Sequence, residues 1–181
     1  ALGCLFFPKA THRWLRYLQT NTHLRQQAQL SPKLVTRIYR PYALRSLNCG
    51  ERVTHMIQHH EYLRSEGWSS LTQASCSTPL PIMAWRSDDG DTAHLQLLSL
   101  KDAHREGESH IQLLWNGARL FSLSFLVREQ AGLYQLLVTR FQGSRAASAP
   151  EWVRRATKLL HGLRPADLLV QVAQHLARQL G

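Results

Sequence analysis

The chain has 181 residues and a mass of 20.7 kDa, 44% of them apolar and 19% charged, which fits one folded domain and excludes a fibre or a disordered tail. With 22 Lys and Arg against 12 Asp and Glu, the formal net charge is +10, which favours anionic partners. No apolar run approaches the roughly 20 residues that cross a bilayer, and three scattered cysteines support neither a disulfide framework nor a thiolate zinc site, so we expect a cytoplasmic protein.

The first third of the chain has the pattern of helices. Apolar residues recur at helical spacing between residues 14 and 18, and Arg40–Pro41–Tyr42 is predicted to bend the chain because proline ends a helical run. A longer helix is predicted over residues 51–64, after Asn48–Cys49–Gly50. We therefore expect residues 1–67 to form a helical region.

From Leu71 onward the pattern changes to short strands separated by polar turns. The predicted strands are Leu80–Trp85, His94–Leu100, His110–Trp115, Leu120–Val127 and Leu133–Phe141. Asn116–Gly117 is the dipeptide typical of a tight hairpin. In the fourth strand apolar residues alternate with Ser122 and Ser124, which predicts one buried face. The pattern predicts an antiparallel meander.

Two final helices are predicted to cover the buried face of this sheet. Ser148–Ala–Pro–Glu151 is a capping-box pattern, Gly162 is placed to close that helix, and Pro165 opens the next one. The predicted fold class is α+β: N-terminal helices, a central antiparallel meander and two C-terminal covering helices, with residues 1–67 packed on residues 68–181 as one domain. Because there is no initiator Met and the last helical pattern runs to Gly181, we expect a piece of a longer protein.

Anion-binding residues are predicted where the last strand passes into the first covering helix. A glycine between a strand and a helix N-terminus lets backbone N–H groups approach a phosphate. Gly143 takes that place, and the polar and basic side chains around it and beyond are Arg140, Gln142, Arg145, Arg154, Lys158 and Arg164. The alternatives stay open: Gly143 as a simple turn, and the i, i+4, i+7 set of Arg154, Lys158 and His161 as a solvated helix face.

Ten histidines offer acid–base chemistry near neutral pH. His59 and His161 are the candidate general bases, although no pattern in the sequence fixes their neighbours. The cluster of His55, His59 and His60 lacks a third metal ligand, so no metal site is predicted. The chain also lacks nucleophile-elbow, Walker, dinucleotide and kinase motifs, which argues against the familiar hydrolases and NTPases.

Several strings of residues are distinctive when taken together. They are Phe141–Gln–Gly143, Val153–Arg–Arg–Ala–Thr–Lys158–Leu–Leu–His–Gly–Leu–Arg–Pro165, Leu168–Leu169, Arg40–Pro41–Tyr42, Arg52 followed by His59, and Leu120–Phe125. With these strings the chain, from near Lys9 onward, resembles the VirK/YbjX family of Gram-negative bacteria. The resemblance implies a domain of unknown function associated with virulence and resistance to cationic antimicrobial peptides, in members that continue past the position of Gly181. His60 departs from the family pattern, which has tyrosine there.

Two functions remain open at this stage. In the first, the chain resembles acyltransferases of the acetyltransferase superfold, because Arg140-x-x-Gly143 matches the start of their Q/R-x-x-G-x-G/A loop, although Arg145 departs from its last position. That resemblance implies acyl-coenzyme A as the cofactor. In the second, the chain is a non-enzymatic basic adaptor, peripheral at the inner membrane, that docks on an anionic lipid surface or an acidic protein. Nucleic acid is less favoured because no nucleic-acid-binding motif is present.

Overall fold

The computed structural model describes residues 5–30, 32–99 and 106–180. The helices, in chain order, are α1 Pro8–Thr20, α2 Thr22–Leu30, α3 Lys33–Thr36 with a 3-10 turn Arg37–Tyr39, α4 Cys49–Ser65, α5 Ser69–Ser77, α6 Ala149–Leu159 and α7 Pro165–Arg178. The strands are β1 Leu80–Arg86, β2 Thr92–Ser99, β3 Ser109–Trp115, β4 Ala118–Gln130 and β5 Leu133–Gly143. The predicted α+β class is confirmed.

The N-terminal helices pack around one apolar cluster. Trp14 and Leu18 lie on the inner face of α1, and the Trp14 indole N–H donates to the carbonyl of Leu34 (3.2 Å). Helix α4 begins with a complete capping box, in which Asn48 and Glu51 each accept the other's backbone N–H. The cluster also includes Leu126 of β4, so these helices are fixed to the sheet.

The five strands form one antiparallel sheet in the order β1-β2-β3-β4-β5. Asn116 and Gly117 both have positive φ, as the tight hairpin between β3 and β4 requires. One face of the sheet packs against α6 and α7 through a shared apolar core. The sheet contributes Leu95, Ile111, Leu113 and Leu123, the helices contribute Ala156, Leu169 and Ala173, and Leu160 joins them directly after α6. The predicted meander and its two covering helices are therefore confirmed.

Two local predictions are wrong. The sequence predicted short strands and polar turns from Leu71 onward, but residues 69–77 form α5. No apolar periodicity marks this serine-rich segment as a helix. At the start of α6, Ser148 has helical backbone angles and makes no side-chain cap, while Glu151 pairs with Arg154 instead (2.8 Å). Leu100, the last residue of the second predicted strand, and Gly181 lie outside the described residues.

Strands β3 and β4 differ in length, so part of β4 has no strand partner on that side among the described residues. Their pairing stops at Ser109 and Phe125, whereas β4 continues to Gln130. Helix α4 lies along the remaining edge: the Val127 N–H donates to His59 Nδ1 (2.9 Å), and Gln58 Nε2 donates to the Glu129 carbonyl (3.4 Å). Two side chains of α4 thus form the hydrogen bonds to the Val127 N–H and the Glu129 carbonyl that a neighbouring strand would otherwise form.

We expect Gly107→Ala to lower the free energy of unfolding by about 1–3 kcal/mol. A Cβ at Gly107, whose φ is +150°, would lie 2.8 Å from the Phe125 carbonyl oxygen and 3.0 Å from Thr139 Oγ1. Gly132→Ala is the matched control, because its φ is also positive (+78°) but nothing lies within 4 Å of the added carbon. Urea unfolding measures both variants, and equal losses would contradict the close approach at Gly107.

Candidate anion-binding site

The structure places the residues of the predicted anion site in separate grooves. Arg140 lies in a groove beside Tyr42 and Thr139 and pairs with Glu106. Gln142 and Arg145 line a second groove, at the junction of β5 and α6. Arg154, Lys158 and His161 line a third, along the outer face of α6. Arg164 precedes α7 and is exposed.

The second of these, here called the junction groove, has a volume of about 520 Å³. Its lining residues are Gln112, Ala118, Arg119, Gln142, Ser144, Arg145, Ala146 and Trp152. None of them is acidic, and neither Arg119 nor Arg145 pairs with a carboxylate of the described residues. The groove therefore combines two guanidinium groups with two amide side chains and no charge that opposes an anion.

Strand register brings these side chains together. Gln112 on β3 is opposite Ser122 on β4, and Ser122 is opposite Gln142 on β5. Because successive side chains point to opposite faces, all three lie on the face away from the apolar core that α6 and α7 cover. Arg119 joins them just after the hairpin. Sequence reasoning missed Arg119 because only the register shows that it is near the β5–α6 junction.

Gly143 has a packing role in this junction. A Cβ there would lie 3.1 Å from the ring of Phe121, so a side chain would press on that ring. Two of the following N–H groups are already used: that of Ser144 donates to the Leu120 carbonyl (2.8 Å) and that of Ala146 to Ser144 Oγ (3.2 Å). Anion binding in the junction groove would accordingly depend mainly on side chains.

The groove along α6 has mixed charge. Arg154 pairs with Glu151, and this hydrogen bond lowers the pKa of the Glu151 carboxyl. Arg155 pairs with Asp91, and Asp88 and Asp89 line the same groove. Carboxylates therefore offset the basic stripe that the sequence shows on this helix.

A buried charged network lies at the other end of β3, around Glu108. The Glu108 carboxylate, 1% exposed, pairs with Arg37 and accepts a hydrogen bond from the Tyr42 hydroxyl. Burial alone would raise the pKa of Glu108, but the charge of Arg37 and the nearby His60 hold that pKa well below its usual range. Glu108 is thus an ionised carboxylate inside the protein, held between the N-terminal helices and the sheet.

The two adjacent histidines of α4 have different surroundings. His59, the candidate base, is buried, and burial together with the neighbouring His60 lowers its pKa to about 3. Its Nδ1 already accepts the Val127 N–H. His60 Nε2 lies 3.2 Å from Glu108 Oε2, and His60 also lines a pocket of about 440 Å³ between α1, α2 and α4. A carboxylate behind an imidazole is an arrangement that can orient a general base.

The second candidate base, His161, is exposed just beyond the C-terminal end of α6, with a φ of +54°. It lines the mixed-charge groove and lies apart from the junction groove. Within the described ranges, no three His, Cys, Asp or Glu side chains are grouped so as to hold a metal ion. No helix in the same ranges is long and apolar enough to cross a membrane.

Comparison with known proteins gives the family. The profile described as "Protein of unknown function (DUF535)" matches residues 1–181. The chain belongs to the DUF535 family. The chain is also similar to the Escherichia coli (strain K12) protein named "Uncharacterized protein YbjX", with 25% identity over 182 residues. That alignment covers 99% of this chain and 55% of the relative, so the chain spans about half the relative's length. The resemblance to the VirK/YbjX family is confirmed, and no solved structure matches this DUF535 chain.

Proposed function

We propose that the protein is an acyl-coenzyme A-dependent transferase that binds the phosphates of its coenzyme in the junction groove. The observation that carries this proposal is the placement of Arg119 and Arg145 beside Gln112 and Gln142 in a groove whose described lining has no carboxylate. Guanidinium groups bind phosphate through paired hydrogen bonds, and each such charged bond is stronger than a neutral one. The set is therefore suited to a ligand with several phosphate oxygens.

The position of the groove supports the same function. It lies where β5 passes into α6, the junction at which Arg140-x-x-Gly143 resembles the phosphate loop of the acetyltransferase superfold. The positive end of the α6 dipole faces the same junction and adds to the attraction for an anion. Helix dipole and side chains thus favour the same charge.

Acyl transfer also requires a base. The acceptor's hydroxyl or amine attacks the thioester carbon, the C–S bond breaks, and the acceptor's proton passes by way of the base to the coenzyme thiolate. We assign this role to His60, since Glu108 lies behind its ring and the ring lines a pocket. Glu108, which precedes β3, is four positions before Gln112, about 13 Å of extended chain, a distance that an extended pantetheine arm can span.

Calorimetric titration with coenzyme A and with a long-chain acyl-coenzyme A tests the site. Arg119→Ala/Arg145→Ala is expected to weaken binding by roughly tenfold or more, because each lost hydrogen bond to a charged group costs about 1.5–3 kcal/mol. Arg154→Ala/Lys158→Ala is the matched control, with two charges removed from the mixed-charge groove. A loss confined to that control would instead locate the site on the α6 face, as the sequence pattern suggested.

Salt concentration separates this function from the basic adaptor, the second candidate. A saturable coenzyme site should keep most of its affinity at near-physiological salt, whereas binding through a diffuse positive surface should fall steeply. The net charge of +10 is the observation that favours the adaptor. No heat with either ligand, or heat that disappears with salt, would overturn the transferase proposal.

A further inference from the structure

The segment before α1 and the outer side of α1 form a surface that the transferase proposal does not use. We call it the N-terminal face and define it by Leu5, Phe6, Phe7, Lys9, Arg13 and Arg16. Its three large apolar side chains adjoin in sequence and are 78%, 73% and 45% exposed. Contiguous exposed apolar residues on a folded domain mark a surface that contacts another molecule or a membrane.

Cations continue this face along the helix. Lys9, Arg13 and Arg16 have the spacing i, i+4 and i+7, which places them on one side of α1. Trp14 and Leu18 are buried on the opposite side, so the cationic side faces solvent. Arg13 donates to Thr54 Oγ1 (2.7 Å), and none of the three cations pairs with a carboxylate in the described part of the chain.

The surrounding region strengthens this positive charge. Residues 1–50 contain no Asp or Glu, and Glu51 is the first acidic residue. Their eight basic residues are Lys9, Arg13, Arg16, Arg25, Lys33, Arg37, Arg40 and Arg45. Only Arg37 of these is buried, in its pair with Glu108, and the other seven are exposed. No carboxylate within residues 1–50 therefore offsets these exposed cations.

We infer that the N-terminal face docks the protein on the surface of a bilayer that contains anionic lipid. Leu5, Phe6 and Phe7 enter the boundary between headgroups and acyl chains, while the cations of α1 contact the headgroups. A purely electrostatic partner such as duplex nucleic acid needs only the cations. Three adjoining exposed apolar side chains beside those cations fit the interface of a membrane, which offers both negative charge and hydrocarbon.

Vesicle co-sedimentation tests this inference without coenzyme. Two lipid compositions are compared, pure phosphatidylcholine and phosphatidylcholine mixed with phosphatidylglycerol. Binding is expected to the mixed vesicles only. Lys9→Gln/Arg16→Gln should weaken it roughly 25-fold, since each cation near an anionic surface contributes a factor of about five. Phe6→Ser/Phe7→Ser should weaken it by roughly tenfold or more.

Leu133→Ser is the matched control. Like Phe6 and Phe7, Leu133 is a large exposed apolar residue (68% exposed), but it lies at the turn between β4 and β5. This variant should bind vesicles as the unchanged protein does. Equal binding to neutral vesicles, or full binding by Phe6→Ser/Phe7→Ser, would overturn the inference. The inference would also be overturned if the protein did not bind the mixed vesicles but bound duplex DNA, and if Phe6→Ser/Phe7→Ser kept that DNA binding.

Discussion

Replacing Glu108 by glutamine is expected to lower the free energy of unfolding by about 3–5 kcal/mol at pH 7. The variant keeps the shape of the side chain and an acceptor for the Tyr42 hydroxyl, but it leaves the buried Arg37 guanidinium, which is 5% exposed, without its counter-charge. A buried charge that loses its partner retains its full desolvation cost. Urea unfolding followed by tryptophan fluorescence measures the loss.

Two controls separate charge from shape in this prediction. Glu151→Gln removes an exposed carboxylate that is also paired with an arginine, and no measurable loss is expected there. Arg37→Met/Glu108→Gln removes both buried charges, so it should be more stable than Glu108→Gln alone. If Glu108→Gln unfolds no more easily than Glu151→Gln, the carboxylate is not held as a buried ion.

Acidification from pH 6.5 to pH 4.5 is expected to remove roughly 2–3 kcal/mol of stability through His59 alone. Burial and the adjacent His60, with a smaller contribution from Arg37, lower the pKa of His59 to about 3, while Glu108 acts in the opposite direction. A folded-state pKa below the unfolded value means that the unfolded chain binds the extra proton. The contribution is therefore complete above about pH 6.5 and is lost as the pH falls towards 3.

His59→Asn tests the source of this pH dependence. The Asn Oδ1 can accept the Val127 N–H in place of Nδ1, but it does not titrate. The free energy of unfolding of this variant should consequently fall less between pH 6.5 and 4.5 than that of the unchanged protein. His161→Asn replaces an exposed histidine and should leave the slope as it is. Parallel slopes for the unchanged protein and His59→Asn would contradict the prediction.

The sheet could be predicted from the sequence because its signals are local. Alternation along Phe121–Val127 marks a half-buried strand, and Asn116–Gly117 marks the hairpin before it. Helix α5 could not be predicted in the same way, since its serine and threonine residues carry no apolar period and its position depends on packing against β2. Local sequence patterns thus predict the strands but do not predict α5, which tertiary contacts stabilise.

In the candidate sites, too, some residues could be predicted from local sequence and others could not. Gln142 and Arg145 could be predicted because a strand-to-helix junction is visible in the sequence, whereas Arg119 joins them only through strand register. Glu108 and Arg37 are 71 residues apart, and nothing near either one in the sequence indicates the other. Side chains that meet across the fold have no period and no spacing from which their contact could be inferred.

The edge of β4 beyond Phe125 has a consequence for the protein in acid. Gln58 and His59 are the side chains of α4 that occupy this edge, and protonation of His59 removes the acceptor for the Val127 N–H. Release of α4 would leave the Val127 N–H and the Glu129 carbonyl open at the edge of a strand rich in apolar side chains, a ready template for pairing with another molecule. Self-association through this strand is therefore expected to accompany acid unfolding. The neutral His59 imidazole thus stabilises the fold and also keeps this strand edge from pairing with another molecule.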